Sequence, residues 1–269
     1  MVNFLTLNLI LVGFLTVSLL ENFHNPDLQK IKKTSTKLSP TFLIFFIVFS
    51  FVFAIALFIM AKENLLNIYL KVSFALLILG HARWVSLGRS KRFFLFSLLA
   101  AVILVVYRIF HPSILSHNLF VIFSIAWVGP FFSKISLLTK KRFIVLSILW
   151  FFYDIFFVWG SELSDIVNLT SESIGFPLGI VVGDNILGAG DLLWSNFFVS
   201  LLPKGVGPKG VFFLVLSNFL LGSYSFISRH FLRFPLLVLW VPLGIIILKA
   251  ESNLEKAKYN RKNQDANDD

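Results

Sequence analysis

FPLGIVVGDNILGAGDLLWSNFFVSLLPK, Phe176 to Lys204, is apolar almost throughout, and its only charges before Lys204 are Asp184 and Asp191. Whether water or lipid surrounds this stretch decides the fold. Composition answers for lipid. Of 269 residues, 57% are hydrophobic, 33 are Phe and only 14% are charged. A water-soluble domain has too little polar surface to cover that much apolar side chain. Asp191 therefore lies in a membrane segment. A carboxylate there costs about 3 kcal/mol or more, which marks it as functional and demands a partner.

Working outward with a bilayer core about 30 Å thick, each crossing needs roughly 20 apolar residues. Nine spans emerge, at Asn3–Leu20, Phe42–Ala61, Leu65–Gly80, Phe93–Phe110, Leu119–Phe132, Phe143–Gly160, Phe176–Leu202, Val211–Ile227 and Phe234–Leu248. The third and fifth are short. The expected fold is all-α, a nine-helix membrane domain over residues 1–250 followed by a polar tail over 251–269. The apolar start lacks a basic leader and reads as a first span rather than a cleaved signal.

The basic residues test that count. With the amino terminus outside, 19 Lys and Arg fall in inside regions, and only Lys62, Arg108, Arg229 and Arg233 fall outside. Lys71 lies within the third span. The positive-inside rule predicts such a split, and removing one span inverts everything after it. The net charge of +10 is thus an orientation signal, and no nucleic-acid partner is expected. The absence of Cys excludes disulfides and thiolate metal sites.

Asp154, in the sixth span, is the expected partner of Asp191. It follows Arg142 by 12 residues, which places it about 18 Å along a helix from the inner end. Ser147 and Ser161 sit seven residues to either side and give that span a polar face. Gly188, Asp191 and Ser195 recur at helical spacing in the seventh span. Consecutive spans tend to be neighbours, so the two carboxylates are expected to meet. Two carboxylates sharing a site hold one proton between them, so one acts as base and the other as acid towards water. The glycines before Asp191 let another backbone approach closely. Spacing alone leaves open a hydrolase and a cation or proton transporter. Pro177, Gly179 and Gly183 predict a partly non-helical stretch before Gly188. Asp184 reads as a carboxylate near the outer water boundary.

Three motifs occur in order: FYDIFFVWGS (Phe152–Ser161), GAGD (Gly188–Asp191) and PLLVLWVP (Pro235–Pro242). Together they resemble the presenilin and signal peptide peptidase family of intramembrane aspartyl proteases. That family carries Tyr-Asp, Gly-x-Gly-Asp and Pro-Ala-Leu in spans six, seven and nine. The aromatic run after Asp154 and the outside amino terminus are closer to signal peptide peptidase, in a minimal, archaeal-like form. Leu236 departs from the family's Ala. The resemblance implies catalysis by Asp154 and Asp191, with Tyr153, Gly188, Gly190, Pro235, Leu236 and Leu237 shaping the site and contacting substrate. It implies no cofactor and no metal. The implied partners are transmembrane or signal-peptide segments and membrane lipids. The implied location is the cell membrane of a prokaryote or the endoplasmic reticulum of a eukaryote.

Other chemistries find less support. No His-Glu-x-x-His or Gly-x-Ser-x-Gly occurs among the five His and the many Ser. A prepilin-type peptidase also uses Gly-x-Gly-Asp, but places its aspartates at the cytoplasmic boundary with a Lys after the motif. Here Leu192 and Leu193 follow Asp191. Asn168-Leu169-Thr170 matches a glycosylation acceptor in a loop expected outside.

Overall fold

The computed structural model describes residues 2–23, 65–155, 179–182, 185–203, 206–228, 239–251 and 253. These residues are mostly helical. Among the described residues, four stretches are long and apolar enough to cross a membrane: Leu5–Asn22, Ile68–Ser86, Lys91–Phe110 and Ile114–Lys134. The helices are α1 (Val2–Phe23), α2 (Leu66–Ser86), α3 (Lys91–Phe110), α4 (Ile114–Ile125), α5 (Val128–Lys134) and α6 (Lys140–Asp154). Two strands follow, β1 (Gly179–Val182) and β2 (Asn185–Gly188), then α7 (Ala189–Leu201), α8 (Gly207–Ser228) and α9 (239–251). The expected second span falls outside the described residues.

Side-chain contacts fix the direction of each helix. Glu21, near the end of α1, accepts from Trp84 Nε1 at 2.8 Å and meets His81 Nε2 at 3.0 Å, near the end of α2. The two helices therefore run the same way. α3 returns, with Arg83 of α2 stacked on Phe94 of α3. α4 and α5 run with α2, since Phe74 stacks on Phe120, and Trp84 meets Phe131 edge to face. α7 is parallel to α5, because Asn196 bonds at Ala126 and Gly129 while Ser133 reaches the Ser200 carbonyl. α8 is antiparallel to α1, as Asn218 pairs with Asn8 and Gly207 packs on Leu19. One end of the bundle consequently gathers Arg83, Arg89, Lys91, Arg92, Lys134, Lys140, Lys141, Arg142 and Lys209. Arg108 lies at the other end.

The face that α3 turns outward carries Leu95, Phe96, Leu99, Ile103, Ile109 and Phe110, all well exposed. Water penalises such a continuous apolar face, whereas lipid does not. Helix contacts inside the bundle follow membrane rules instead, with small residues and interhelical hydrogen bonds joining the helices.

The run expected as a short fifth span is longer and interrupted. Ser113 starts α4 in a reciprocal cap: Ser113 Oγ accepts from the Ser116 N–H at 3.1 Å, and Ser116 Oγ accepts from the Ser113 N–H at 3.0 Å. The ladder then breaks between Ala126 and Trp127. Pro130 has no N–H, so the Ala126 carbonyl loses the donor four residues on. Asn196 of α7 replaces it, donating from Nδ2 at 2.7 Å, while its Oδ1 accepts from the Gly129 N–H at 2.6 Å. A Cβ on Gly129 meets Asn196 Oδ1 at 2.5 Å, so only glycine lets α7 come this close. One turn earlier, His81 Nδ1 lies 2.8 Å from the Phe123 carbonyl. A carbonyl only accepts, so Nδ1 is the donor in this contact.

The seventh span departs from an unbroken helix. Residues 179–182 and 185–188 pair as antiparallel strands, with Gly179 opposite Gly188, Ile180 opposite Leu187, Val181 opposite Ile186 and Val182 opposite Asn185. β-branched residues between glycines favour extended chain. Gly179 is obligatory here, because any Cβ collides with the Leu187 carbonyl. α7 alone has 13 residues, about 20 Å of helix, well short of a bilayer core.

Candidate active site

Gly188 ends β2 in an extended conformation, φ −62° and ψ 150°, and serves as the N-cap of α7. Asp191 thus occupies the first turn of that helix, where the free N–H groups and the helix dipole suit a carboxylate. The structure corrects the expected helical face made by Gly188, Asp191 and Ser195. Gly188 precedes the helix, and Ser195 is fully buried with Oγ donating to the Leu192 carbonyl. Asp191 is half-buried, and its Oδ2 lies 3.4 Å from where a Cβ on Gly188 would stand. Gly190 is exposed, and a Cβ there meets nothing within 4 Å. Among the described residues, the glycine beside Asp191 faces open space.

Three residues beyond Asp191, Trp194 is fully buried at a junction of three helices. Its Nε1 donates to Ser147 Oγ of α6 at 2.9 Å. Its ring lies 5.4 Å from Phe143 of α6 and 6.0 Å from Trp240 of α9, centroid to centroid. Phe198 stacks on it from one turn further along α7. Trp240 in turn donates to Ser217 of α8 at 2.9 Å. The helices carrying the Tyr-Asp and Gly-x-Gly-Asp motifs, and the helix following Pro-Leu-Leu, therefore converge on one indole.

That junction sets the level of each motif. α6 leaves the basic end through the five-residue connection after α5, so it runs against α7. Asp154 lies seven residues beyond Ser147 and Asp191 three residues before Trp194. Both offsets point away from the basic end, by about 10 Å and about 4.5 Å respectively. Leu237 precedes Trp240 by three residues, and α9 runs parallel to α7, as the packing of Gly244 on Trp194 and Phe198 shows. The backbone of Tyr153 and Asp154 completes α6, but their side chains lie outside the described set. Pro235, Leu236, Leu237, Asp184 and Asn168 also lie outside it.

The structure adds residues that the motifs did not single out. His117 Nε2 donates to the Gly179 carbonyl at 2.8 Å. Asn118 makes a two-way bridge to Val181, with Nδ2 donating to its carbonyl and Oδ1 accepting from its N–H, both at 2.8 Å. These contacts occupy the edge of β1 that faces away from β2. Bilayer hydrocarbon tolerates non-helical backbone only where protein or a cavity satisfies it. His117 and Asn118 supply that satisfaction. The signal was a polar pair beginning an apolar run, which an expected start at Leu119 left in a loop. Comparison with protein-family models, curated proteins and solved structures finds no match for this chain.

Proposed function

We propose that this chain is an intramembrane aspartyl protease that hydrolyses peptide bonds within transmembrane segments, with Asp154 and Asp191 as its acid–base pair. The observation that carries the proposal is the convergence of α6, α7 and α9 on Trp194, with Asp154 and Asp191 displaced from it in the same direction. In the register of α6, Asp154 shares the face of Ser147, which bonds α7. The level difference of about 6 Å between the two aspartates is within the combined reach of two side chains. One shared proton then lets one carboxylate take a proton from water while the other protonates the leaving amine. No cofactor enters this scheme.

A helical substrate shields its own carbonyls, so it must open at the cut. Among the described residues, the edge of β2 away from β1 has no backbone partner, and it leads through Gly188 to Asp191. An opened substrate pairs with such an edge as an added strand, irrespective of its sequence. By the family resemblance, Pro235, Leu236 and Leu237, which precede α9 in sequence, and Tyr153 of α6 shape the site and contact substrate.

The helix directions support nine crossings with the amino terminus outside and the carboxy terminus inside. α1 and α2 run in parallel, which suits a crossing at Phe42–Ala61 between them, and the basic end faces inward. The chain is then a multi-pass protein of the cell membrane or the endoplasmic reticulum. Its partners are membrane lipids and signal-peptide-like segments.

The test incubates detergent-purified protein with a labelled transmembrane peptide. Wild type yields fragments, a hydroxyl-bearing transition-state mimic blocks them, and Asp154→Ala or Asp191→Ala abolishes them while the helical circular dichroism stays intact. Cleavage that survives Asp191→Ala ends the proposal. Proton or cation flux into liposomes without any fragments assigns the same carboxylates to transport instead.

A further inference from the structure

β1 is held along both edges. β2 pairs with one, and α4 closes the other through two consecutive side chains. Arg108 Nη2 lies 3.3 Å from His117 Nδ1. A guanidinium only donates, so Nδ1 is the acceptor and the ring proton sits on Nε2, aimed at the Gly179 carbonyl 2.8 Å away. Asn118 then grips the next outward-facing residue, Val181, at both its N–H and its carbonyl. Its amide orientation is fixed by chemistry, since the backbone N–H can only donate and the carbonyl only accept. The contact is packed: His117 and Asn118 are 1% and 4% exposed, and Ile180 of β1 is fully buried.

The hold extends to Asp191 through short covalent and hydrogen-bonded steps. Gly179, bonded by His117, lies opposite Gly188 in the hairpin. Gly188 caps α7, and Asp191 is the third residue of that helix. A shift of β1 therefore displaces the first turn of α7. Trp194 does not prevent this, because it anchors the next turn.

We propose that His117 and Asn118 are positioning residues, a latch that holds the hairpin and through it the turn presenting Asp191. The functional consequence rests on the protease reading of Asp191. The latch itself does not, and it has a structural readout of its own. Because it closes one edge of β1, it also leaves β2 as the edge an extended chain can join.

The experiment pairs cleavage kinetics with hydrogen–deuterium exchange of peptides covering Gly179 to Leu193, on the full-length protein in detergent. In Asn118→Ala, exchange at the hairpin and at Leu192 and Leu193 accelerates about tenfold, as loss of the two bonds implies. kcat per folded molecule falls about 10- to 100-fold while KM stays within about threefold, because displacement of a catalytic group by a fraction of an ångström to 1 Å acts on the chemical step. His117→Gln retains a donor for Gly179 and an acceptor for Arg108, so it keeps most of the rate. His117→Leu does not. A latch with only a structural role lowers the folded fraction and leaves kcat per folded molecule unchanged, which overturns the proposal. A fall in kcat without faster exchange in the first turn of α7 overturns it as well. Should Asn118→Ala fail to fold, the contrast between His117→Gln and His117→Leu decides on the same two readouts. If wild type cleaves nothing, the protease reading falls. Exchange alone then judges the latch: acceleration at Leu192 and Leu193 supports it, and unaltered exchange overturns it.

Discussion

Asn196 and Pro130 should be energetically coupled, with a sign that follows from the broken α4–α5 ladder. Asn196→Ala removes two hydrogen bonds, of 2.6 and 2.7 Å, made by a fully buried amide. The two bereaved groups are not equivalent. The Gly129 N–H can turn back to the Ile125 carbonyl, four residues earlier. The Ala126 carbonyl cannot recover, because the residue four positions on is Pro130. An unsatisfied buried group costs about 1–3 kcal/mol, although bonds between membrane helices average nearer 0.6 kcal/mol. The carbonyl has no fallback, so the larger scale governs, and the whole substitution should cost about 2–3 kcal/mol.

In a Pro130→Ala background the ladder is restored. The backbone is already helical on both sides of the break, with the Ala126 N–H on the Ile122 carbonyl and the Phe131 N–H on the Trp127 carbonyl, each at 2.9 Å. A new N–H at 130 then satisfies Ala126, and Asn196→Ala should cost only about 1 kcal/mol. The assay is a four-protein cycle of SDS-induced unfolding in mixed micelles, followed by far-ultraviolet circular dichroism. A coupling of about 1–2 kcal/mol is expected, well above the roughly 0.5 kcal/mol at which independent sites add. Additivity within that margin would refute the account of Asn196 as the stand-in for the missing proline donor.

Two further predictions use the same preparations. Ser147→Ala leaves the fully buried Trp194 Nε1–H without its acceptor, so it should cost about 1–2 kcal/mol in the micelle assay; an unchanged midpoint would show that the α6–α7 junction does not depend on this bond. Gly190→Ala puts a methyl group into open space at a position without positive φ, so stability should rise by about 0.4–1 kcal/mol. On the proposed protease reading peptide cleavage should nevertheless fall, because that methyl occupies the face assigned to the substrate backbone, and full cleavage would mean Gly190 serves the helix alone.

Apolar run length made most of the described helices legible in the sequence. α1, α3 and α8 lie where the spans were expected, because a lipid-facing helix needs little beyond about 20 apolar residues. The misses have specific causes. α4 starts five residues before Leu119 because Ser113 and Ser116 cap each other, whereas the usual sign of a capping box is Ser-x-x-Glu. The break in the helix before Gly188 follows the expectation from Pro177, Gly179 and Gly183, but its pairing into two strands was not read, although Gly183-Asp184 separates the two runs by a two-residue hairpin spacing. Ser147 was legible as a polar mark on the face of α6 that meets α7. The roles of His117, Asn118 and Asn196 were not, since each serves backbone groups more than 60 residues away.

The hairpin also bears on which reading of the carboxylates is stronger. Breaking a helix within a bilayer exposes N–H and carbonyl groups to hydrocarbon, so it persists only where those groups are satisfied. Here the satisfaction is one-sided. β1 is closed by β2, His117 and Asn118, whereas the outer edge of β2 meets no backbone among the described residues. A transport path needs acceptor oxygens along a route, and an intact helix with inward carboxylates provides them. It gains nothing from a strand edge ending at Gly188. A protease does gain, because its substrate arrives as a helix, must be opened to expose a carbonyl, and must then have its own freed backbone groups satisfied. On the proposed protease reading, the β2 edge is where those hydrogen bonds form, one step before the turn that carries Asp191, and Gly190 leaves room for the chain beside it. A substrate whose backbone is N-methylated at alternate positions keeps its side chains but cannot complete that pairing. It should be cut at least about tenfold more slowly than its parent, in proportion to the one or two hydrogen bonds lost. Equal cleavage of the two peptides would remove the strand edge from the mechanism and with it the reason to prefer hydrolysis on this ground.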